Sequence, residues 1–332
     1  MVNYRRNIRT WFLLRNSITP LYSKTRQRFP KLSIVNYQLS IVTVKEYSMF
    51  QIAKEHKGFG KQIFLLAKNE LIKKYKGAII GPFWAVVKPL FTLFVYWFAF
   101  DIGLRKAGSV HVVFEDGTDL GTYSRFLFML VGFIPWFFIQ DSILQGSRSI
   151  ILNKQFVTKV SFPVSTIMTF TQVSRMYVHL FLSGLMYIYL IFVGGTVNGV
   201  HGGIAPSWYN LQYFFYTPLM FLFFLVFIWS TAPMAAFSRD FENMIISVMS
   251  GVFWLSGIVY DTYSLDNEVL RRIMLVNPIT FFANGYRNTF LYNRGFWEYP
   301  TEFIVFVIEF LVLIVLGIFN YNRLRKKLPD VL

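Results

Sequence analysis

The chain has 332 residues, of which 55% are hydrophobic, 20% aromatic and only 15% charged, with a formal net charge of +16. Soluble domains carry about 25% charged residues, so this composition, with 38 Phe and a mean hydropathy of +0.45, excludes an ordinary soluble domain and specifies an integral membrane protein. The absence of Cys excludes disulfides, thiolate metal sites and Cys nucleophiles.

The excess charge sits at the two ends. Residues 1–78 hold 16 Lys/Arg against 3 acids, residues 321–332 hold 4 against 1, and residues 79–320 hold 13 against 13. That distribution argues against nucleic acid and for two cytoplasmic termini beside anionic lipid. The start, "YRRNIRTWFLLRNS", is not read as a secretory signal, because Arg15 interrupts its apolar core after four residues. Residues 1–50 read either as a basic cytoplasmic arm on the membrane surface or as a solvated tail.

Next comes "KQIFLLAKNELIKKYKGAIIG" (61–81). Ile63, Leu66, Ala67 and Leu71 share one face at i, i+3, i+4 and i+8, while Lys68, Lys73, Lys74 and Lys76 favour the other. This predicts an amphipathic helix in the inner interface plane, with a plain basic flank as the simpler reading. Six spans come after it, at 82–104, 124–145, 164–193, 212–237, 244–260 and 302–320, the fifth of them short. An even number returns both ends to one side, and the loops agree. Loop 146–163 carries Arg148, Lys154 and Lys159 without an acid and is inside. Loop 105–123 sets Glu115, Asp116 and Asp119 against Arg105 and Lys106, and loop 194–211 is uncharged, so both are outside. The turn "SRDFEN" (238–243) is inside. In the outer segment 261–301, "VLRRIMLVNPITFFANGYRNTF" (269–290) is too polar to span. It predicts two short amphipathic helices at the outer face, re-entering only against protein or a wet cavity.

Three features inside the spans call for explanation. In "GPFWAVVKPLFTLFVYWFAF" (81–100), Lys88 lies six residues after Pro82, roughly 9 Å of helix rise. Its amine either snorkels to the headgroups or lines a wet pathway. Pro89 removes a hydrogen bond to the Ala85 carbonyl and predicts a kink. Deeper in lipid, Arg175 lies roughly 16 Å from the inner boundary and Glu309 roughly 10 Å from the outer one. These depths are compatible with a charge pair, within or between protomers, and an unpaired central charge costs about 2.5–3.5 kcal/mol.

The chain carries no nucleotide-binding loop of the form GxxxxGK[ST]; "GFGKQ" (58–62) lacks the upstream Gly and the Ser/Thr. HExxH and GxSxG are absent, and His56, His111, His179 and His201 have no zinc-like spacing. No constellation supports catalysis or a metal on this chain.

The order of pieces carries a resemblance. The basic amphipathic helix leads into "GAIIGPFWAVVKPLFTLFVYWFAF", followed by "GFIPWFFIQDSILQGSRSIILNKQFVTKVSFP" (132–163), "SRDFENMI" (238–245), "SGIVYD" (256–261) and "LVNPITFFANGYRNTFL" (275–291). This resembles the membrane subunit of an ABC-2 type polysaccharide exporter, and most closely the teichoic-acid translocation permeases of Gram-positive bacteria. The resemblance covers about 60–320, leaving 1–59 as a basic N-terminal extension and 321–332 as a basic cytoplasmic tail.

The resemblance implies an all-α membrane protein of six transmembrane helices in the bacterial plasma membrane. It would act as a homodimer with two copies of a separate ATPase subunit. ATP and Mg would be bound by that partner, which accounts for the missing nucleotide motif. The cargo would be a lipid-linked polysaccharide, commonly on undecaprenyl diphosphate. Residues 151–163 match the family's ATPase-coupling helix, with Asn153, Lys154, Gln155, Phe156, Lys159 and Val160 as the contact set. Phe156 and Val160, one turn apart, would plug a cleft on the partner, and the lysines would meet an acidic rim; otherwise the lysines are positive-inside charges. Residues 264–295 match the outer gate helices, with Arg271 and Arg272 on them and Pro278 and Gly285 supplying breaks. Trp84, Lys88, Tyr96, Trp97, Trp136 and Phe137 would line the substrate pathway, since sugar rings slide along aromatic faces. The aromatics alternatively form interface belts or core packing. Similar permeases often have an amide at position 88, so the charge of Lys88 is a departure. Alternatives of other kinds are an ABC-2 permease for a lipid or drug, and a membrane-bound polymer-modifying enzyme.

Overall fold

A computed structural model describes residues 49–103, 108–114, 117–160 and 162–332. The basic arm and the charges Arg105, Lys106, Glu115 and Asp116 lie outside the described residues. Residues Ile52–Leu332 pack as one unit.

Helices dominate. Helix α1 (Met49–His56) and α2 (Gly60–Lys74) precede a short 3-10 turn at Gly81–Phe83 and the first span helix α3 (Trp84–Trp97). Strands β1 (Ser109–Val113) and β2 (Asp119–Ser124) lead into α4 (Arg125–Ser147). Two short helices, α5 (Ser149–Leu152) and α6 (Lys154–Thr158), connect to α7 (Val164–Phe192). After β3 (Gly195–Val197) and β4 (Val200–Gly202) come α8 (Tyr213–Phe237) and α9 (Arg239–Trp254). The outer segment forms α10 (Glu268–Val276) and α11 (Pro278–Arg287), and the chain closes with α12 (Pro300–Leu324) and α13 (Leu328–Val331).

Five of the six expected spans are long and apolar enough to cross a membrane among the described residues: Gly81–Phe100, Arg125–Ser147, Val164–Phe192, Trp208–Phe237 and Pro300–Val331. The fifth expected span is not. Helix α9 has 16 residues, about 24 Å of rise against a core of about 30 Å. Its end is fixed by residues further along the chain. The Asn277 side chain donates to the Leu255 carbonyl (3.0 Å) and to Ser256 Oγ (3.1 Å), capping orphan groups at the helix terminus. Gly257 then turns the chain with φ +59°, a conformation that disfavours a side chain.

The core is built around α4, which is buried along most of its length. Aromatic side chains fill the space between α4, α8, α11 and α12. Phe281 stacks on Phe306 (4.2 Å between centroids), and Phe223 packs on both Phe306 and Phe310. Helix α11 is buried from Ile279 to Arg287 and so reaches into protein, where its short length is tolerated. The break predicted at Asn277-Pro278 is present: the Asn277 side chain accepts from Ile279 N and Pro278 occupies the first turn. Gly285 is not a break. It lies inside α11, where a Cβ would stand 2.4 Å from a ring carbon of Tyr216. It permits close approach of α11 to α8.

The interface helix α2 buries the predicted face, Ile63 and Ala67 against the inner core, with Leu66 packed beside them. Phe64, Leu65 and Ile72 remain exposed on another face. A second apolar strip therefore faces outward among the lysines, as a helix in the interface plane requires.

Two observations support the topology. Strands β1 to β4 form one antiparallel sheet in that order, and Tyr123 pairs with Val197. The two loops assigned to the outer face by charge are thus joined there. These strands were not anticipated; three to six residues each is too short for a period to register. On the opposite side, the Glu55 carboxylate accepts from Arg325 (2.6 Å), from Ser165 N (3.3 Å) and from the Tyr321 hydroxyl. Residues just before α2, at the start of α7 and at the end of α12 meet at one group, which places them on one face.

Candidate functional site

A polar cavity of about 310 Å³ opens between the end of α2 and helices α3, α4 and α7. Lys74 and Tyr75 form its inner lip, Trp84 and Lys88 come from α3, Phe137, Gln140 and Asp141 from α4, and Arg175 and His179 from α7. A second cavity of about 280 Å³ adjoins it and shares Lys74, Asp141 and Arg175.

The charges are organised by hydrogen bonds. Lys74 Nζ donates to Asp141 Oδ2 (3.1 Å), and Arg175 Nε donates to the Asp141 carbonyl (3.2 Å). Arg175 Nη1 stands 3.6 Å from Glu70 Oε1, and Thr171 Oγ1 donates to the other Glu70 oxygen (3.0 Å). Arg175 also donates to the Thr171 carbonyl. A single interface helix therefore supplies both Glu70 and Lys74, which are one turn apart and bind α7 and α4 respectively. Burial raises the Tyr75 phenol above its usual range, an effect that neighbouring Lys74 opposes.

The predicted pair of Arg175 with Glu309 is not formed within the chain. Arg175 takes Glu70 instead, because α2 lies directly on α7 and brings a carboxylate closer than α12 does. Glu309 keeps a buried oxygen with no hydrogen-bond partner among the described residues.

Lys88 lies on the cavity wall with its amine 6.0 Å from the Trp84 ring centroid and has no carboxylate partner among the described residues. Helix α3 continues through Pro89 to Trp97 and widens into a π turn at Phe98–Gly103. Of the six expected pathway residues, Trp84, Lys88 and Phe137 line the cavity. The other three are packed elsewhere. Tyr96 sits against Phe133 and Phe253, Trp97 against Phe126, and Trp136 is buried against Phe253. They pack in the aromatic core rather than at this cavity: Tyr96 and Trp97 of α3 face α4, and Trp136 of α4 faces α9.

From the cavity a polar chain leads to the outer segment. His179 Nε2 bonds the Tyr286 hydroxyl (2.8 Å), which also bonds Thr217 (2.7 Å). This links α7 and α8 to the re-entrant helix α11. Arg287, at the end of α11, is fully buried. It donates to the carbonyls of Gly257 (2.8 Å) and Ile258 (2.7 Å), to Asn284 Oδ1 (3.3 Å), and lies 3.6 Å above the Phe128 ring. Gly132 makes room for it: a Cβ there would stand 2.5 Å from Arg287 Nη2. Arg287 thereby ties the turn after α9 to α4. Sequence reasoning singled out Arg271 and Arg272 of α10 and missed Arg287, Asp141 and His179. The signal was a lone ionisable residue within an apolar helical stretch.

On the inner face, the segment expected to meet the ATPase is two short helices broken at the buried Asn153, whose side chain donates to the Ser149 carbonyl (3.0 Å). Leu152, Lys154, Gln155, Lys159 and Val160 are exposed. Phe156 is half-buried, with its ring packed on Phe162 and Phe170. Arg148 pairs with Glu242 (2.7 Å), joining this segment to the start of α9.

The structure thus presents a charged cavity at the inner end of a bundle of apolar helices, with an amphipathic helix beside it. Residues 61–291 match the family described as ABC-2 type transporter, and the chain belongs to that family. It is a multi-pass plasma-membrane protein. Among its relatives is the O-antigen export system permease protein RfbA of Myxococcus xanthus, 22% identical over 74% of this chain and 86% of that protein. A protein of the same name from Klebsiella pneumoniae is 23% identical over 81% of this chain and 94% of its own length.

Proposed function

We propose that the chain is the membrane subunit of an exporter for a cell-surface polysaccharide of O-antigen or teichoic-acid type, carried on a polyprenyl diphosphate. The observation that carries this reading is Lys88. It presents a cation without a carboxylate partner among the described residues, on a cavity wall near the inner leaflet, beside Trp84 and Phe137. A diphosphate headgroup needs such a cation, and the first sugars need flat apolar surface. Relatives named as O-antigen export permeases support the same cargo class.

ATP hydrolysis is assigned to a separate ATPase chain that binds ATP and Mg. The exposed strip of Leu152, Lys154, Gln155, Lys159 and Val160 is its docking surface. Two copies of the chain form the pathway between them. The outward apolar faces of α3 and α9, including Phe91, Phe94, Ile246 and Val248, support a second copy as a partner beside lipid.

The test is depletion of the chain while surface glycan and cytoplasmic lipid-linked glycan are followed together, with an ATPase-deficient strain alongside. Loss outside with full-length polymer accumulating inside is the expected result. Unchanged surface glycan, or normal export of a chemically altered polymer, would overturn the reading.

A further inference from the structure

A cavity of about 600 Å³ opens at the outer end of the molecule, far from the inner charges, between α10 and the start of α12. One wall is an aromatic stack assembled from three separate segments. Phe114, after β1, stacks on Tyr299 (4.7 Å, 21° between planes) and meets Tyr263 at 4.2 Å. Tyr299, just before α12, is half-buried and is the outermost of the three, whereas Phe114 and Tyr263 are buried. The other wall is α10, which contributes Arg271 and Arg272. Carboxylates complete the rim. Glu302 accepts from the Tyr263 hydroxyl (2.9 Å), and Glu298 is held by Arg294 (2.7 Å).

The charges of both signs decide what fits. Glu298 and Glu302 oppose a simple anion, and the two arginines, of which Arg272 is paired with Glu268, oppose a simple cation, while Leu275, Val276, Pro300 and Val305 supply apolar lining between the charges. A flat ring surface flanked by fixed donors and acceptors suits a molecule with an apolar C–H face and a rim of hydroxyls, which both donate and accept. The volume is within the range of about 300–1,000 Å³ found for small-ligand sites. We propose that this cavity binds a sugar unit of the exported glycan at the outer face. Bound there, the emerging chain is held against back-sliding, and occupancy biases α10, whose arginines form one wall. The inference rests on the glycan reading above.

The test uses the permease with its ATPase in lipid nanodiscs. The probe is a set of short oligosaccharides released from the strain's own surface glycan and labelled at the reducing end. Saturable binding is expected, weakened at least tenfold in Tyr299→Ala and preserved in Tyr299→Phe. Glu302→Gln, which keeps side-chain size, is the second variant and is expected to weaken binding if Tyr299→Ala does not fold. Absence of saturable binding in a complex with active ATPase overturns the site, as does equal affinity in the folded Tyr299→Ala or Glu302→Gln variant. Depletion that blocks export while the probe fails to bind overturns this inference alone; depletion that leaves surface glycan unchanged overturns the function itself.

Discussion

Replacing Arg175 by Met tests how the inner cavity is held together. In the native chain the guanidinium lies 3.6 Å from Glu70, with side chains only 9% and 22% exposed. Two unit charges at that distance interact by about 5 kcal/mol at an effective dielectric constant of 20. Partial exposure of Glu70 and its bond from Thr171 reduce what is lost, so a coupling energy of about 2–4 kcal/mol is expected between positions 70 and 175. Arg175→Met leaves a carboxylate uncompensated at the α2–α7 contact and is expected to be strongly destabilising. Glu70→Gln alone strands the guanidinium, which retains its bonds to the carbonyls of Asp141 and Thr171. The double variant, with neither charge, is expected to regain much of the loss. The assay is a double-mutant cycle on denaturation in mixed micelles, repeated with Glu309→Gln in place of Glu70→Gln. Additivity within about 0.5 kcal/mol at positions 70 and 175, or rescue by Glu309→Gln instead, would refute the assigned partnership.

Other consequences are checked more simply. Arg287→Met removes the charge-assisted bonds to the Gly257 and Ile258 carbonyls and to Asn284 Oδ1, each worth about 1.5–3 kcal/mol, so the outer segment is expected to become protease-sensitive near Gly257; unchanged digestion would contradict the stapling role. Gly285→Ala places a methyl against the Tyr216 ring and is expected to cost about 1–3 kcal/mol, measured as a lower thermal midpoint and relieved by Tyr216→Ala. Lys88→Gln is expected to lower export several-fold with no change in thermal midpoint, measured as surface glycan per cell; full export would remove Lys88 from the pathway. Burial raises the Asp261 carboxyl above its ordinary value, against the opposing effects of Ser264 and Arg287. The folded form therefore holds this proton more tightly than the unfolded form. Its contribution is fully present below the unfolded pKa and is lost as pH rises through the raised folded value. The slope of thermal midpoint against pH in that interval is expected to be shallower in Asp261→Asn, and an identical slope would sink the assignment.

Five of the six expected spans and the amphipathic helix before them were legible in the sequence because they are properties of local runs. Apolar length, the position of lysines and the i, i+3, i+4 face of α2 derive from lipid as solvent, without reference to the rest of the chain. The break at Asn277-Pro278 was legible for the same reason, since a cap and a proline act within one turn. Partnerships between distant residues were not. Depth alone matched Arg175 with Glu309, but packing of α2 on α7 gave Arg175 to Glu70. Phe156 and Val160 looked like a paired plug one turn apart, yet the fold packs the half-buried Phe156 ring on Phe162 and Phe170 and leaves Val160 exposed. Trp136 shares a span with Phe137, and only neighbouring α9 determined that the first is core and the second cavity wall. The length of α9 depended on Asn277, 22 residues beyond its last turn, reaching back to cap it. Solvent preference is written residue by residue; which buried group meets which is decided only when helices come together and each charge takes the nearest partner that can satisfy it.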